Sequence, residues 1–145
     1  MSAPRLTIYF DGDCPFCVAE AQALRRRDRH GALAWVDIAA PGFDACPPGT
    51  DLAALNGQLH SVTHDGKVYK GLDSMLAAYT LVGLGWAVLP LRVRALRPPL
   101  ERAYLLFARH RHRVSRWLGL RVPPRCDGTV CSPGGPWLKE PRDGR

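Results

Sequence analysis

Near its N-terminus the sequence has too short an apolar run for us to expect a secretory signal peptide. The apolar run near its N-terminus spans only Leu6 to Phe10 before Asp11 interrupts it, whereas a signal peptide needs about 7–15 apolar residues. We therefore expect a cytoplasmic protein. Because disulfide bonds are rare in that compartment, the five cysteines indicate redox chemistry, metal binding or simple burial, and a framework of structural disulfides is not expected.

A long membrane-spanning run is also missing. Residues 74–91 are uncharged, but these 18 residues only reach the lower limit of about 17–18 for a transmembrane helix. Gly83, Gly85 and Pro90 interrupt the run, so we expect two buried helices that meet at residues 83–85. No internal repeat is present. A chain of 145 residues with 46% hydrophobic and 23% charged residues fits a soluble globular protein.

Acidic residues are in deficit, since 13 of them face 20 Lys and Arg, which gives a net charge of +7. Much of the excess falls on a helix that we predict from Pro98 or Pro99 to about Leu118. At 100° per residue, its two faces differ. The apolar face holds Leu100, Ala103, Tyr104, Phe107, Val114 and Leu118, and the basic face holds Arg102, Arg109, Arg113 and Arg116.

We expect this helix to pack through its apolar face and to leave its arginines in water. Binding of RNA or of an anionic membrane through the basic face is the alternative. We expect no specific nucleic-acid partner and regard membrane contact as the less favoured outcome.

The sequence does contain a Cys-x-x-Cys motif. Cys14 and Cys17 lie where an apolar strand pattern, residues 6–10, gives way to a helical pattern. A Cys-x-x-Cys at a strand-to-helix junction, near the start of a small α/β chain, is typical of a thioredoxin-like redox site.

The helix N-terminus explains why the chemistry needs this placement. With Cys14 as N-cap and Pro15 at the first helical position, the free N–H groups of the first turn point at the Cys14 sulfur. These donors and the helix dipole should lower the thiol pKa below its ordinary value of about 8.5, although the charges of Asp11 and Asp13 oppose this. We expect Cys14 to be the exposed attacking thiolate and Cys17 to be the less accessible resolving thiol.

Several further segments carry a family resemblance. They are Tyr9–Cys17, the arginine-rich helix after it, Trp35–Ala39, Leu59–Val62, Asp65–Gly71, Ala103–Tyr104 and Phe107–Arg111. From Arg5 to Arg116 the chain resembles the DCC family of thiol-disulfide oxidoreductases, named for an Asp-x-x-Cys-x-x-Cys-type motif. The resemblance implies a thioredoxin-like fold with a redox centre.

The order of the elements agrees with that class. Strand, helix and strand at residues 6–10, 16–30 and 33–38 make a right-handed βαβ unit, with Gly31 closing the helix. After a Pro- and Gly-rich loop, Thr50 or Asp51 caps a short helix, and Asp65-Gly66 joins two strands at residues 59–64 and 67–69 as a hairpin. Asp73 or Ser74 should cap the next helix. We therefore predict an α/β thioredoxin-like βαβ–ββα mixed sheet with additional C-terminal helices.

Cys46 and the pair His60 and His64 are the other residues that could take part in chemistry. Cys46 is expected to have no functional role. His60 and His64 are expected to be surface or cleft-edge residues, about 13 Å apart along a strand and too distant to share a metal ion.

We divide the chain into a domain at residues 1–121 and a flexible Pro- and Gly-rich tail at residues 122–145.

The tail contains the pair Cys126 and Cys131. This pair is interpreted as an auxiliary redox dithiol, as half of a zinc site, or as two bystanders.

Taken together, the sequence predicts a protein-disulfide oxidoreductase that acts on a disulfide-containing protein or a small-molecule thiol and needs no bound cofactor. One departure from thioredoxins is the absence of proline in residues 56–60, just before the third strand. Two alternatives are kept: a metal-binding module with Cys14, Cys17, Cys126 and Cys131 as ligands, and a redox-switched adaptor that binds RNA or membrane through the basic helix.

Overall fold

A computed structural model describes residues 3–120 of the chain. The predicted tail and the pair Cys126 and Cys131 lie outside this range, so the proposed domain division remains a prediction. The described elements are β1 Leu6–Phe10, α1 Pro15–Arg27, β2 Leu33–Asp37, α2 Leu52–Gly57, β3 His60–Thr63, β4 Val68–Lys70, α3 Leu72–Leu81, a 3-10 turn Leu89–Arg92, and α4 Arg97–Trp117.

The four strands form one mixed sheet in the order β2-β1-β3-β4. β1 pairs with β2 in parallel, and β3 pairs antiparallel with both β1 and β4. A βαβ unit followed by a ββα unit is the thioredoxin-like arrangement, which confirms the predicted fold class. The hairpin between β3 and β4 also forms at Asp65-Gly66, where Gly66 takes the positive φ of 89° that this turn requires.

The core lies on one face of the sheet. Leu6 and Ile8 alternate along β1, as the period of a strand demands, and they are almost fully buried with Leu24 of α1 and Ala78 of α3. Because α1 is anchored here by its C-terminal half, its N-terminal end projects past the end of β1. This places the Cys-x-x-Cys motif at the edge of the sheet.

Two helix boundaries differ from the prediction. α1 ends at Arg27 rather than near His30, because the carboxylate of Asp28 accepts hydrogen bonds from the N–H groups of Ala32 and Leu33 and turns the chain early. At the start of α3 the N-cap is Gly71.

Neither residue predicted to cap α3 does so. Ser74 is buried and donates its hydroxyl to Ser61 over 2.6 Å, and Asp73 lies in the first turn. Gly71 has a φ of 54°, and a Cβ there would lie 3.2 Å from the Tyr104 ring. A glycine is therefore required where α4 meets the start of α3.

The prediction of two buried helices in residues 74–91 is half wrong. α3 is helical as expected, but the segment after it forms turns and the single 3-10 turn at Leu89–Arg92. Trp86 and Leu89 in this segment are 71% and 54% exposed, so it is not a buried helix. In residues 3–120, no helix is long and apolar enough to cross a membrane.

α4 is the long predicted helix, and it packs against α1 and the 3-10 turn. The four arginines of the predicted basic face are exposed, and Tyr104, Phe107 and Val114 are partly buried, which confirms the packed orientation. Ala103 and Leu118 are exposed, contrary to the prediction. α4 contacts one neighbouring layer rather than a deep core, so only a narrow stripe is covered.

Candidate active site

The loop between β1 and α1 is fixed by two carboxylates. Asp11 accepts a hydrogen bond from the N–H of Asp13 over 2.9 Å, and Asp37 at the end of β2 accepts one from Gly12 over the same distance. The N–H of Cys14 also donates to the Asp11 carbonyl at 3.2 Å. The parallel pairing of β1 with β2 brings Asp37 here, so the sheet itself positions the loop that presents the first cysteine.

Cys14 is the N-cap of α1, and Pro15 takes the first helical position, as predicted. Its backbone is extended, with φ −93° and ψ 111°, and its sulfur accepts the N–H of Cys17 over 3.3 Å. A negative sulfur at this position satisfies a donor that the helix cannot satisfy internally. The geometry therefore favours the thiolate form of Cys14.

The pKa of Cys14 is lowered from 9.0 to about 7. The largest cause is the hydrogen bond from the Cys17 thiol, which outweighs the opposing effect of burial; the Cys17 N–H and the positive charge of Arg111 lower the pKa further. The charge of Asp11 raises the pKa, as expected, but is the smallest of these effects. Near neutral pH, Cys14 is therefore substantially ionised.

The pKa of Cys17 moves in the opposite direction. Its thiol donates to Cys14, so the hydrogen bond that stabilises one thiolate holds the proton on the other, and the pKa of Cys17 is raised. Burial and the charge of Cys14 act in the same direction, whereas Arg111 lowers the pKa of Cys17. When Cys14 ionises, above a pH of about 7, Cys17 therefore keeps its proton.

Two side chains of α4, Arg111 and Phe107, lie against the N-terminal end of α1. Arg111 donates to Asp11 over 2.8 Å in a buried ion pair, and its other terminal nitrogen lies 3.9 Å from the Cys17 sulfur. The ring of Phe107 packs edge-on against Phe16, with ring centres 4.7 Å apart. Positions 104, 107, 111 and 115 recur at helical spacing, so they form a stripe that follows directly from the sequence of α4.

The accessibility of the two cysteines is the reverse of what the sequence predicted. Cys14 is fully buried at 0% exposure, and Cys17 is only partly buried. The prediction of an exposed Cys14 sulfur assumed that the start of α1 faces solvent. That assumption was wrong because Phe107 and Arg111 place α4 against the same helix end.

Both backbone hydrogen-bonding groups of Leu59, just before β3, already have partners. Leu59 donates its N–H to the Tyr104 hydroxyl over 2.8 Å and accepts the Gly71 N–H over 2.7 Å. Burial is the main reason that the pKa of Tyr104 is raised, and the charge of Cys17 raises it further. Tyr104 thus lies near the dithiol and takes the N–H that a proline at this position would lack. Residues 3–120 contain no cis peptide bond.

Sequence reasoning found Cys14, Cys17, Asp11, Asp13 and Pro15, and the structure brings all five together. Asp13 is exposed, and Asp11 is 93% buried in its ion pair with Arg111.

The contribution of α4 to the site was not predicted. Tyr104 was interpreted only as an apolar contact, and Arg111 was assigned to neither face of the helix. The available signal was an arginine spaced four residues after Phe107 and seven after Tyr104, hence on the packed side.

The remaining candidates lie apart from the dithiol or outside the described range. His60 is 98% buried, contrary to prediction, with its Nδ1 2.8 Å from the Gln58 carbonyl, whereas His64 is exposed as expected. Cys46 is a free thiol. Within residues 3–120 no three His, Cys, Asp or Glu side chains are placed to hold a metal ion; the four-cysteine alternative requires residues beyond that range and stays a prediction.

A four-stranded mixed sheet, with a dithiol at the N-terminus of the first helix, is typical of the thioredoxin-like class of redox proteins. A family model for the DCC1-like thiol-disulfide oxidoreductases matches residues 8–117, and the chain belongs to this family. Family membership supports a redox function that involves thiols or disulfides.

One curated relative adds a further comparison. An uncharacterised protein of Arabidopsis thaliana, described as chloroplastic, is 30% identical over 113 residues, or 77% of this chain. The chain spans about half of that relative's length, 53%. No solved structure matches the chain. The cytoplasmic location expected from the sequence stays a prediction.

Proposed function

We propose that the chain is a thiol-disulfide oxidoreductase in which Cys14 attacks and Cys17 resolves. The observation that carries the proposal is the position of Cys14 as the N-cap of α1, where its sulfur accepts the N–H of Cys17 over 3.3 Å and its pKa is lowered to about 7. The thiolate is the nucleophile in disulfide exchange, and an attacking thiol works best with a pKa near the ambient pH. The value of about 7 for Cys14 meets that condition.

The exchange proceeds in two displacements. The Cys14 thiolate attacks one sulfur of the substrate disulfide, forms a mixed disulfide and releases the other substrate sulfur as a thiolate. Cys17 then loses its proton and attacks the Cys14 sulfur, which forms the Cys14–Cys17 disulfide and releases the second substrate thiolate. Two electrons pass from the protein to the substrate, and a thiol reductant restores the dithiol. No bound cofactor takes part.

The pKa causes explain how Cys17 becomes reactive at the right moment. Its pKa is raised mainly by its hydrogen bond to the Cys14 thiolate and in part by the charge of that thiolate. Both effects vanish once Cys14 is held in a mixed disulfide; burial still raises the pKa of Cys17, and Arg111 lowers it once α4 has closed again. Formation of the mixed disulfide therefore activates the resolving thiol.

Access to Cys14 requires α4 to move. A fully buried sulfur cannot be approached in line by a substrate disulfide, so the contacts of Phe107 and Arg111 must open before each attack. Because Tyr104 occupies the Leu59 N–H, an extended peptide also has no free donor there. We propose that compact disulfides, including those of small-molecule thiols, react faster than disulfides in extended peptide chains.

The test is disulfide reduction driven by dithiothreitol, with oxidised glutathione and insulin as separate substrates. Cys14→Ser and Cys17→Ser should each reduce turnover by at least about 100-fold, and the matched control Cys46→Ser should retain wild-type turnover. Circular dichroism should show an intact fold in all three variants. Wild-type turnover in both active-site variants, or no turnover of either substrate by the wild type, would reject the proposal.

A further inference from the structure

The positive charge of the molecule is concentrated in one part of the chain. Residues 82–120 contain eight arginines and one glutamate, a net charge of +7 that equals the formal charge of the whole protein. The rest of the chain carries twelve residues of each sign. Glu101 and Arg97 also pair with each other over 3.4 Å, so the single acidic residue of this segment is already engaged.

The outward side of α4 combines this charge with exposed apolar side chains. We define the α4 outer face by its basic members Arg102, Arg109, Arg113 and Arg116 and its apolar members Leu105, Leu106 and Trp117, all exposed. At 100° per residue these seven positions fall within about 120° of the helix circumference. This arc is opposite the stripe that packs against α1, so the face is separate from the active site.

The apolar part of the surface is larger than packing requires. Trp117 is 84% exposed and Leu106 is 60% exposed. The 3-10 turn that packs against α4 and the residues that flank this turn expose Trp86, Leu89 and Val93, all between 47% and 71% exposed. Exposed apolar side chains are ordinary when scattered singly, but a concentration of this kind marks an interaction surface.

We propose that the α4 outer face and the adjoining segment dock this protein onto an anionic lipid surface. Arginine stems cover apolar surface while their guanidinium groups reach phosphate, and tryptophan prefers the boundary between headgroups and acyl chains. Helices that lie in a membrane interface combine basic residues with Trp and Leu in the same way. The dithiol on the other side of α4 would stay in the aqueous phase.

Charge complementarity selects this occupant over the others. A second copy of the chain would bring the four arginines of its own α4 outer face against these four, and residues 121–145 carry five basic and three acidic residues, so both would be repelled. RNA would satisfy the arginines and could stack its bases on Trp86 and Trp117, but it would leave the aliphatic side chains of Leu89, Val93, Leu105 and Leu106 in water. Acyl chains bury these aliphatic side chains, whereas RNA does not.

The test is co-sedimentation of the full chain with vesicles. Binding is expected to vesicles of phosphatidylcholine with phosphatidylglycerol, to weaken at high salt, and to be weak on phosphatidylcholine alone. The triple variant Arg109→Gln, Arg113→Gln, Arg116→Gln should lower the partition coefficient at least about tenfold. Its matched control, Arg26→Gln, Arg27→Gln, Arg29→Gln, removes the same charge from exposed positions at the end of α1 and should change binding far less.

The apolar contribution has its own matched pair. Leu106→Gln should reduce vesicle binding several-fold, and Leu52→Gln, at an exposed leucine of α2, should not. Both should keep wild-type disulfide turnover, which separates this proposal from the redox function. Equal loss in both triple variants, RNA binding without vesicle binding, a salt-resistant dimer broken by Leu106→Gln, or vesicle binding only after truncation following Leu120 would each overturn it.

Discussion

Arg111 contacts both the buried carboxylate of Asp11 and the dithiol. It neutralises the buried carboxylate of Asp11 at 2.8 Å and lies 3.9 Å from the sulfur of Cys17. His112 adds a second cationic group 3.8 Å from the same carboxylate when it is protonated. Arg111 lowers the pKa of both thiols, whereas Asp11 raises the pKa of both, so we interpret Arg111 as a positioning residue that offsets the charge of Asp11.

The first prediction is a shift in the pH profile of Cys14 alkylation. A thiol with a pKa of about 7 is ionised above that pH, so the rate should rise through pH 7 and level off above it. In Arg111→Met the midpoint should move upward by about half a unit or more, because an opposite charge is lost. Arg111→Lys should largely restore the midpoint, and Arg109→Met, at an exposed arginine, is the matched control. An unchanged midpoint in Arg111→Met would contradict the role given to Arg111.

The second prediction concerns stability. Arg111→Met leaves the Asp11 carboxylate buried without its partner and should lower the free energy of unfolding by about 3 kcal/mol. The double variant Asp11→Asn with Arg111→Met should recover most of the loss, because it removes the charge while Asn keeps an oxygen for the Asp13 N–H. Urea unfolding measures both. Additive losses in the double variant would show that the two side chains are not coupled.

At the scale of elements, α4 packs over the N-terminal end of α1 and is not a separate C-terminal extension. Its stripe of Tyr104, Phe107 and Arg111 reaches Leu59, Phe16 and Asp11 respectively. These contacts hold α4 against the N-terminal end of α1, where Cys14 is buried, and Tyr104 fixes the backbone at Leu59. The rate of any reaction at Cys14 therefore includes a term for the opening of α4.

The third prediction separates the opening of α4 from the pKa of Cys14 as causes of the alkylation rate. Phe107→Ala removes the ring contact with Phe16 and should raise the plateau rate of Cys14 alkylation several-fold, with little change in the midpoint pH. Leu106→Ala, at the exposed neighbouring position, should leave both quantities unchanged. The measurement is iodoacetamide labelling followed by peptide mass analysis. A plateau unaffected by Phe107→Ala would mean that α4 does not limit access.

Most elements could be predicted from the sequence because their causes are local. The alternation in β1, the cap Asp51 of α2, which accepts the Ala54 N–H, and the Asp65-Gly66 turn each depend on neighbouring residues. The predictions that were wrong depended on tertiary contacts between residues that are distant in the sequence. Gly71 replaces the predicted caps of α3 because Tyr104 packs beside it, and the burial of Cys14 depends on a helix about ninety residues away in the sequence.

At the scale of the whole molecule, the tail at residues 122–145 gives the fourth prediction. If Cys126 and Cys131 relay electrons to Cys14 and Cys17, truncation after Pro124 should slow turnover with a large protein disulfide and leave the alkylation rate of Cys14 unchanged. A tethered dithiol acts through an effective concentration of about a millimolar. A bystander tail leaves both quantities unchanged. Faster Cys14 alkylation after truncation would instead support the metal-site alternative.

The central claim is that Cys14 attacks and Cys17 resolves, and trapping tests it most directly. In Cys17→Ser the mixed disulfide cannot be resolved from within, so incubation with oxidised glutathione should leave one glutathione per chain on Cys14, identified by intact mass and peptide mapping. Cys46→Ser in the same background should give the same adduct. An adduct on Cys46, or none on Cys14, would contradict the account.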